Sequence, residues 1–475
     1  MLLLLILFPL AMALLALLLP WHQVRSWLLP VSGVLHLLLA VSTVAGSAYA
    51  PSPWIGLDAL SSLVLIVTSL LYAGCAVYAV GYLDLRRDRG NKTIVPCLLV
   101  FLSAMTLAIS ARHLGLLWMA VEATTLASAP LIYYNRNRLS IEATWKYLLL
   151  CSVGIALALL GILFIAYAAL VGGDMPISLQ FDTLLAGATH LSRPWLHAGF
   201  VFLLVGFGTK MGLAPLHSWK PDAYGEAPGM VGALLAGGLT SVAFLAILRA
   251  VQLMSAAGDG AMARQALLGM GLLSLLIAAI FMVRQPDIKR LLAYSSVEHM
   301  GILAIGVGIG GLATFGAMLH LVNNALTKGC LFLSAGNIQR AYDSKRLSKV
   351  HGALATLPIS GSIFLAGFLA ITGSPPFGLF MSEFTILRGI FGNGQLWIGL
   401  LMILLLAMVF IGMGATVLTA TQGEAVKVES AYHDSFLLVA SPLLFLVLVL
   451  VLGVYLPESL QSALRDAAAL LEVQP

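Results

Sequence analysis

Charge is scarce in this chain. Lysine, arginine, aspartate and glutamate together make up 9% of its 475 residues, against about a quarter in an ordinary soluble domain. With 60% of residues hydrophobic, the chain reads as an all-α polytopic membrane protein, because unpaired strand or loop amides are not tolerated in lipid. Cysteine is equally sparse. Cys75, Cys97, Cys151 and Cys330 lie far apart in or beside apolar runs, which excludes a disulfide framework and implies no zinc or iron–sulfur site. There is no Walker loop, no nucleophile–base motif and no haem spacing. Gly306, Gly308 and Gly311 match the glycine spacing of a dinucleotide loop, but they end an apolar helix with no strand before it, so they read as helix packing. The chain itself is therefore expected to hold no catalytic residue, no cofactor and no metal. Its net charge of +5 falls in short turns between apolar runs, which points to orientation in a membrane rather than to nucleic acid.

Hydrophobic runs are what the sequence does contain. A spanning helix needs about 20 apolar residues, and about fourteen spans are expected on that scale. The first, 1–19, has no basic residue ahead of it and is expected to be a retained helix rather than a cleaved leader. The others run roughly 27–46, 57–81, 94–111, 114–134, 143–171, 198–216, 230–251, 264–283, 291–311, 313–338, 354–394 as one long broken element, 396–420 and 435–456. Arg86, Arg87, Arg89, Lys92, Arg136, Arg138, Arg284, Lys289, Arg290, Arg340, Lys345, Arg346 and Lys349 then all fall in loops on one side. The opposite loops carry Arg112, Arg193 and Arg264 beside Asp174, Asp182 and Asp259. The positive-inside rule places both termini on the outer side of a cytoplasmic (inner) membrane.

Two spans are interrupted in comparable ways. Pro215 follows Lys210 in the seventh, and Pro375 and Pro376 precede Glu383 in the twelfth. Proline removes an amide donor and clashes with the preceding turn, so broken helices 7 and 12 are expected. Breaks at matching positions point to two inverted five-helix repeats, spans 4–8 and 9–13. The resulting division is a three-helix segment (1–93), a first repeat (94–251), a second repeat (264–420), and a last helix with a short C-terminal tail (435–475).

Ionisable groups recur at membrane depth: Glu122, Lys210, Glu298, His299, His320, Lys328 and Glu383, with His217 beside the first break. One such residue is as readily a buried ion pair as a working group. Recurrence across five spans favours a proton path, because each costs a few kcal/mol to insert and faces a bundle interior or hydrated cavity. Glu122 and Lys210 are expected to pair, while Ser295, Ser296, Asn323, Asn324, Thr209 and Thr327 would hold intervening waters. Arg388 lies near the end of its span and reads as interfacial.

The stretches WMAVEATTLASAPLIYY, GFGTKMGLAPLHSWKPDA, RLLAYSSVEHMG, HLVNNALTKGCLFLSAGNI and SPPFGLFMSEF together resemble the proton-translocating, antiporter-like subunits of respiratory complex I and its relatives. Within that group, KPDAYGEAPG and YSSVEHMG are more similar to hydrogenase-4 component F and other group 4 membrane-bound hydrogenase subunits. The resemblance covers roughly residues 110–390. It implies the fourteen-helix fold, the ion-pair glutamate at Glu122, the broken-helix lysine at Lys210, the central groups at His299, His320 and Lys328, and the second broken-helix charge at Glu383. It also implies partner membrane subunits and a peripheral redox module holding [NiFe] and iron–sulfur centres, as in a formate hydrogenlyase type complex. Two departures stand out. Span eight is expected to offer only Thr240 and Ser241 where many members carry a bridging basic residue, and no long lateral helix follows the last span. The alternatives are a complex I or multisubunit Na+/H+ antiporter subunit, or a membrane scaffold that translocates nothing.

Overall fold

The computed structural model describes residues 1–46, 52–172, 178–424 and 432–472; Asp174 lies outside them. Apart from isolated bridges such as Ile55 with Ala111, the described residues contain helices and loops only. In chain order the helices are α1 (Leu2–Leu18), α2 (His22–Ala45), α3 (Ala59–Leu85), α4 (Ile94–Ser110), α5 (Leu114–Ile132), α6 (Arg138–Val171), α7 (Arg193–Met211) and α8 (Trp219–Glu226). They continue with α9 (Gly229–Ala256), α10 (Gly260–Met282), α11 (Ile288–Ile309), α12 (Leu312–Tyr342), α13 (Pro358–Ile371), α14 (Gly378–Gly392), α15 (Leu396–Thr421), α16 (Phe436–Val454) and α17 (Glu458–Ala469). Among the described residues, nine helices are long and apolar enough to cross a membrane, and α1, α4 and α13 are shorter apolar helices.

Local chemistry starts several of them. Asp58 accepts the Ser61 amide at 2.9 Å while Ser61 Oγ accepts the Asp58 amide, a reciprocal cap on α3. Asn137 and Ser140 cap α6 in the same way, and Asp287 Oδ1 accepts the first amides of α11. The two expected breaks are present. Between α7 and α8 the chain turns at Gly212, with φ +77°, and passes Pro215. Between α13 and α14 it turns at Gly373, with φ +65°, and passes Pro375 and Pro376.

Small residues set the helix spacing. A side chain on Gly161 would meet the Gly199 carbonyl 2.8 Å away, and Gly206 stands against Gly154 in the same α6–α7 seam. Gly271 and Gly301 do the same for α10 and α11, while Gly306 and Gly308 pack on Ala317 and on the Arg264 backbone. Helix α9, wholly buried, lies at the centre with Gly229 and Gly237 against α12. Phe445 of α16 fills the space that Gly74 of α3 and Gly329 of α12 leave open.

The C-terminal segment is more than a tail. After Pro457 it folds into α17, an amphipathic helix that buries Leu464, Ala467 and Ala468, and its end is held by Gln252 and Arg264, which donate to the Leu470 and Leu471 carbonyls. Its polar face and short length hid it from a search for spans.

Candidate functional site

The first cluster sits where α5, α6 and α7 meet. Lys210 is fully buried in the last turn of α7, where the negative end of the helix dipole favours a cation. Its Nζ donates to Thr125 Oγ1 and to the Tyr147 hydroxyl, each at 2.8 Å, and lies 4.8 Å from the Tyr147 ring centre. Thr125 in turn donates to Glu122 Oε2 at 3.0 Å, and Ser152 donates to Glu122 Oε1 at 3.2 Å. Glu122 and Lys210 are thus joined through the Thr125 hydroxyl rather than in the direct pair their residue types suggested. Glu122 is only half-buried. Ser128 and Tyr147 share a further hydrogen bond of 2.6 Å.

The break beyond Lys210 is satisfied from its surroundings. The Ala214 amide donates to Ser274 Oγ, and Trp219 Nε1 donates to the Thr209 carbonyl, both at 2.8 Å. Gly212 has no substitute, because a side chain there would need a left-handed backbone and would collide with the Lys220 stem. Lys220 is also fully buried and donates to Ser296 Oγ at 3.2 Å. The fold turns α8 inward and brings this lysine to the interior. His217 is half-buried in the linker, its ring centre 6.3 Å from that of Tyr294.

The second cluster is built by α11, α12 and α14. Lys328 donates to Ser295 Oγ at 2.8 Å and to the Leu292 carbonyl at 3.3 Å, so the adjacent Ser295 and Ser296 each hold one buried lysine. His299 Nδ1 and His320 Nε2 are 3.0 Å apart, and His320 Nδ1 is 3.0 Å from Ser382 Oγ. Glu298 Oε2 lies 3.9 Å from His299 Nε2. Glu383, 7% exposed, stands beside Gly373 at the second break. The donor atoms of His299, His320 and Glu383 all lie within 4.8 Å of one another. Asn323 donates to the Leu319 and Gly378 carbonyls at 3.1 and 3.2 Å, tying α12 to the start of α14. Arg388 is exposed on α14 and takes no part.

Two cations lie elsewhere than their place in the sequence indicated. Lys289 is not a free loop charge; it is buried and donates to the Ala227 carbonyl. Span eight also carries a basic residue beyond Thr240 and Ser241, namely Arg249, but it sits toward the C-terminal end of α9 and pairs with Asp58. Asp58 also contacts Arg112, which binds Asp182. Burial works against the Asp58 carboxylate, yet the Arg249 guanidinium and the Ser61 cap outweigh it and hold the carboxyl down at about 2. At the opposite end Lys345 binds Glu226 at 2.6 Å and Asp287 at 3.3 Å, and Asp222 joins Lys146 at 2.9 Å to Arg290 at 2.6 Å. Thr125, Tyr147 and Ser382 had no distinguishing sequence signal, since hydroxyls are common in apolar helices.

Residues 111–411 match the family described as NADH:quinone oxidoreductase/Mrp antiporter, TM. The chain is 34% identical to the hydrogenase-4 component F homolog of Methylacidiphilum infernorum, over 98% of this chain and 99% of that protein. It is 30% identical to NADH-quinone oxidoreductase subunit N of Desulforudis audaxviator, over 73% of this chain and 69% of that one. Among solved structures, a chain of respiratory complex I from Thermus thermophilus superposes with a TM-score of 0.78 at 26% identity, covering 95% of this chain and 96% of its own.

Proposed function

The chain belongs to the NADH:quinone oxidoreductase/Mrp antiporter membrane family, and from that premise we propose that it is a proton-translocating membrane subunit of a multisubunit energy-converting oxidoreductase. The observation that carries this reading is the succession of polar groups through the interior, all buried except the half-buried Glu122: Glu122, Thr125, Lys210 and Tyr147, then Lys220 and Lys328 on neighbouring serines, then Glu298, His299, His320 and Glu383. Such residues are expensive in a membrane and are kept where charge has to move. In this reading Lys210 gives up and regains a proton as its tie to Glu122 through Thr125 loosens and reforms. Lys220 and Lys328 carry the charge across the centre, and the His299–His320 pair passes it toward Glu383. His217 serves as an entry group beside the first break.

Fourteen spans follow if α7 with α8, and α13 with α14, each count as one broken span and α17 as none. The two breaks then occupy the fourth place in each of two five-helix inverted repeats, 94–251 and 264–420, after a three-helix segment 1–93 and before the closing 435–475. Because Arg249 is committed to Asp58, the centre of α9 has no basic group of its own. Lys220 supplies the bridging charge there instead. Both termini face outward, and the basic inner loops Arg86–Lys92 and Lys345–Lys349 meet the partner subunits.

A group 4 [NiFe] hydrogenase or formate hydrogenlyase type complex is the finer assignment, with nickel–iron and iron–sulfur centres in its partners. Its support is that the 34% relative matches end to end, whereas the 30% relative is matched over 69% of its length. In the reconstituted complex, Lys210→Ala and Glu122→Gln are each expected to abolish proton uptake into vesicles while partner electron transfer partly continues. Full coupled pumping in both variants would sink the proton-path assignment and leave a scaffold. Nickel in the purified complex supports the hydrogenase type; flavin with a quinone site and no nickel moves the chain to complex I, and sodium-dependent activity at fixed pH moves it to a Na+/H+ antiporter.

A further inference from the structure

We propose that His299, His320 and Glu383 form a binding site for a divalent transition-metal ion of the zinc class. The three donors come from α11, α12 and α14 and lie within 4.8 Å of one another. Two imidazoles and a carboxylate are a donor set that suits zinc better than a hard cation such as magnesium. Three buried atoms here lack any hydrogen-bond partner: His299 Nε2, Glu298 Oε2 and Glu383 Oε1. Buried polar atoms are nearly always satisfied; His299 Nε2 and Glu298 Oε2 at least face each other at 3.9 Å, whereas Glu383 Oε1 is an orphan within the donor set itself and indicates a ligand. Charge balance agrees. A dication in a low-dielectric interior has to be neutralised, and Glu383 with Glu298 beside it supply two negative charges. The surrounding structure aims the ligands. Ser382 engages His320 Nδ1 at 3.0 Å, which leaves Nε2 as the coordinating nitrogen and fixes the ring.

The site needs to tighten. His299 Nδ1 and His320 Nε2 share a hydrogen bond of 3.0 Å; the metal takes the place of the proton between the rings, and His299 keeps a proton on Nε2, which faces Glu298 Oε2 at 3.9 Å, so the ring stays a neutral ligand. Ligand atoms about 2.0–2.1 Å from zinc lie about 3.3 Å from one another, so the imidazole nitrogens, 3.0 Å apart, part slightly, while spacings of up to 4.8 Å close by up to about 1.5 Å. Glu383 stands just past the second break, against Gly373, and Thr372, Gly373 and Ser374 are partly exposed. Metal binding stands independently of the proton-path reading. Only its consequence rests on that reading: a bound ion would interrupt exchange between Lys328 and Glu383.

The test is calorimetric titration of the full chain, purified in detergent and stripped with chelator, with Zn2+ alone. One saturable site is expected, weakened ~10-fold or more in His320→Gln and in Glu383→Gln and unchanged in His190→Gln, an exposed histidine on the outer loop. Equal binding by the parent and both site variants, or no saturable binding, overturns the proposal. Should either variant misfold, Co2+ bound to the parent decides: intense visible bands of a four-coordinate nitrogen and oxygen site are expected, and the weak spectrum of a six-coordinate ion overturns it. Neither measurement reads translocation, so failure here and failure of the proton path are separately visible.

Discussion

At the scale of single residues, depth and partnership are separate matters. Glu122, Lys210, His299, His320, Lys328 and Glu383 were legible because a charged letter inside an apolar run announces itself. Their partners were not. Thr125, Tyr147 and Ser382 became visible only when the helices packed, since a hydroxyl gains a role from the neighbour it meets. Asp58 shows how strongly such a meeting acts at the end of a helix. Its carboxyl falls from an ordinary 3.8 to about 2 in the fold because of Arg249. A depressed carboxyl contributes stability that is fully present above the unfolded value and is lost as pH falls through the folded one, here between about 4 and 2. The shift corresponds to about 2 kcal/mol. Asp58→Asn is therefore expected to lower the thermal midpoint in detergent by several degrees at pH 7, and the gap to the parent should shrink as pH is lowered from 4 to 2. A gap that stays constant over that window would mean that ionisation of Asp58 does not contribute.

At the scale of elements, proline and glycine carry most of the information. Pro215, Pro375 and Pro376 marked the two breaks in company with Gly212 and Gly373, whose positive φ turns the chain out of the helix; Pro9, Pro30, Pro130 and Pro442 are carried inside unbroken helices. Glycine spacing set which helices come close, but not which partner each would choose. Gly301 packs with its Cα against the Gly271 carbonyl, where a side-chain carbon would sit 2.7 Å away. Helix α11 carries Ser295, Ser296, Glu298 and His299, so this seam positions the second cluster. Gly301→Leu is expected to cost about 1–3 kcal/mol through overpacking, read as a lower thermal midpoint in detergent. Gly269→Leu on α10, where nothing lies within 4 Å, should leave it unchanged; equal effects in the two would mean that helix propensity, not packing, was measured. Helix α17 escaped the sequence reading for a related reason: twelve amphipathic residues do not resemble a span, and only their docking on Gln252 and Arg264 gives them a place.

At the scale of the whole molecule, the chain is an apolar bundle with an ion network at each end, Arg249–Asp58–Arg112–Asp182 at one and Glu226–Lys345–Asp287 with Lys146–Asp222–Arg290 at the other. On the positive-inside rule the second network is expected on the inner side. Arg193→Cys is then expected to react with a membrane-impermeant maleimide applied outside intact cells, and Arg89→Cys only after the membrane is opened; the reverse pattern would invert the orientation. The sequence by itself determined that the chain is helical and membrane-embedded, where its helices break and which charges lie deep, because hydrophobic run length, proline geometry and the cost of burying charge are local properties. Only the tertiary structure decided that Thr125 stands between Glu122 and Lys210, that Lys220 turns inward while Arg249 is held by Asp58 toward the end of α9, and that His299, His320 and Glu383 converge from three helices. Those relations depend on distances between residues far apart in the chain, which side-chain packing alone fixes.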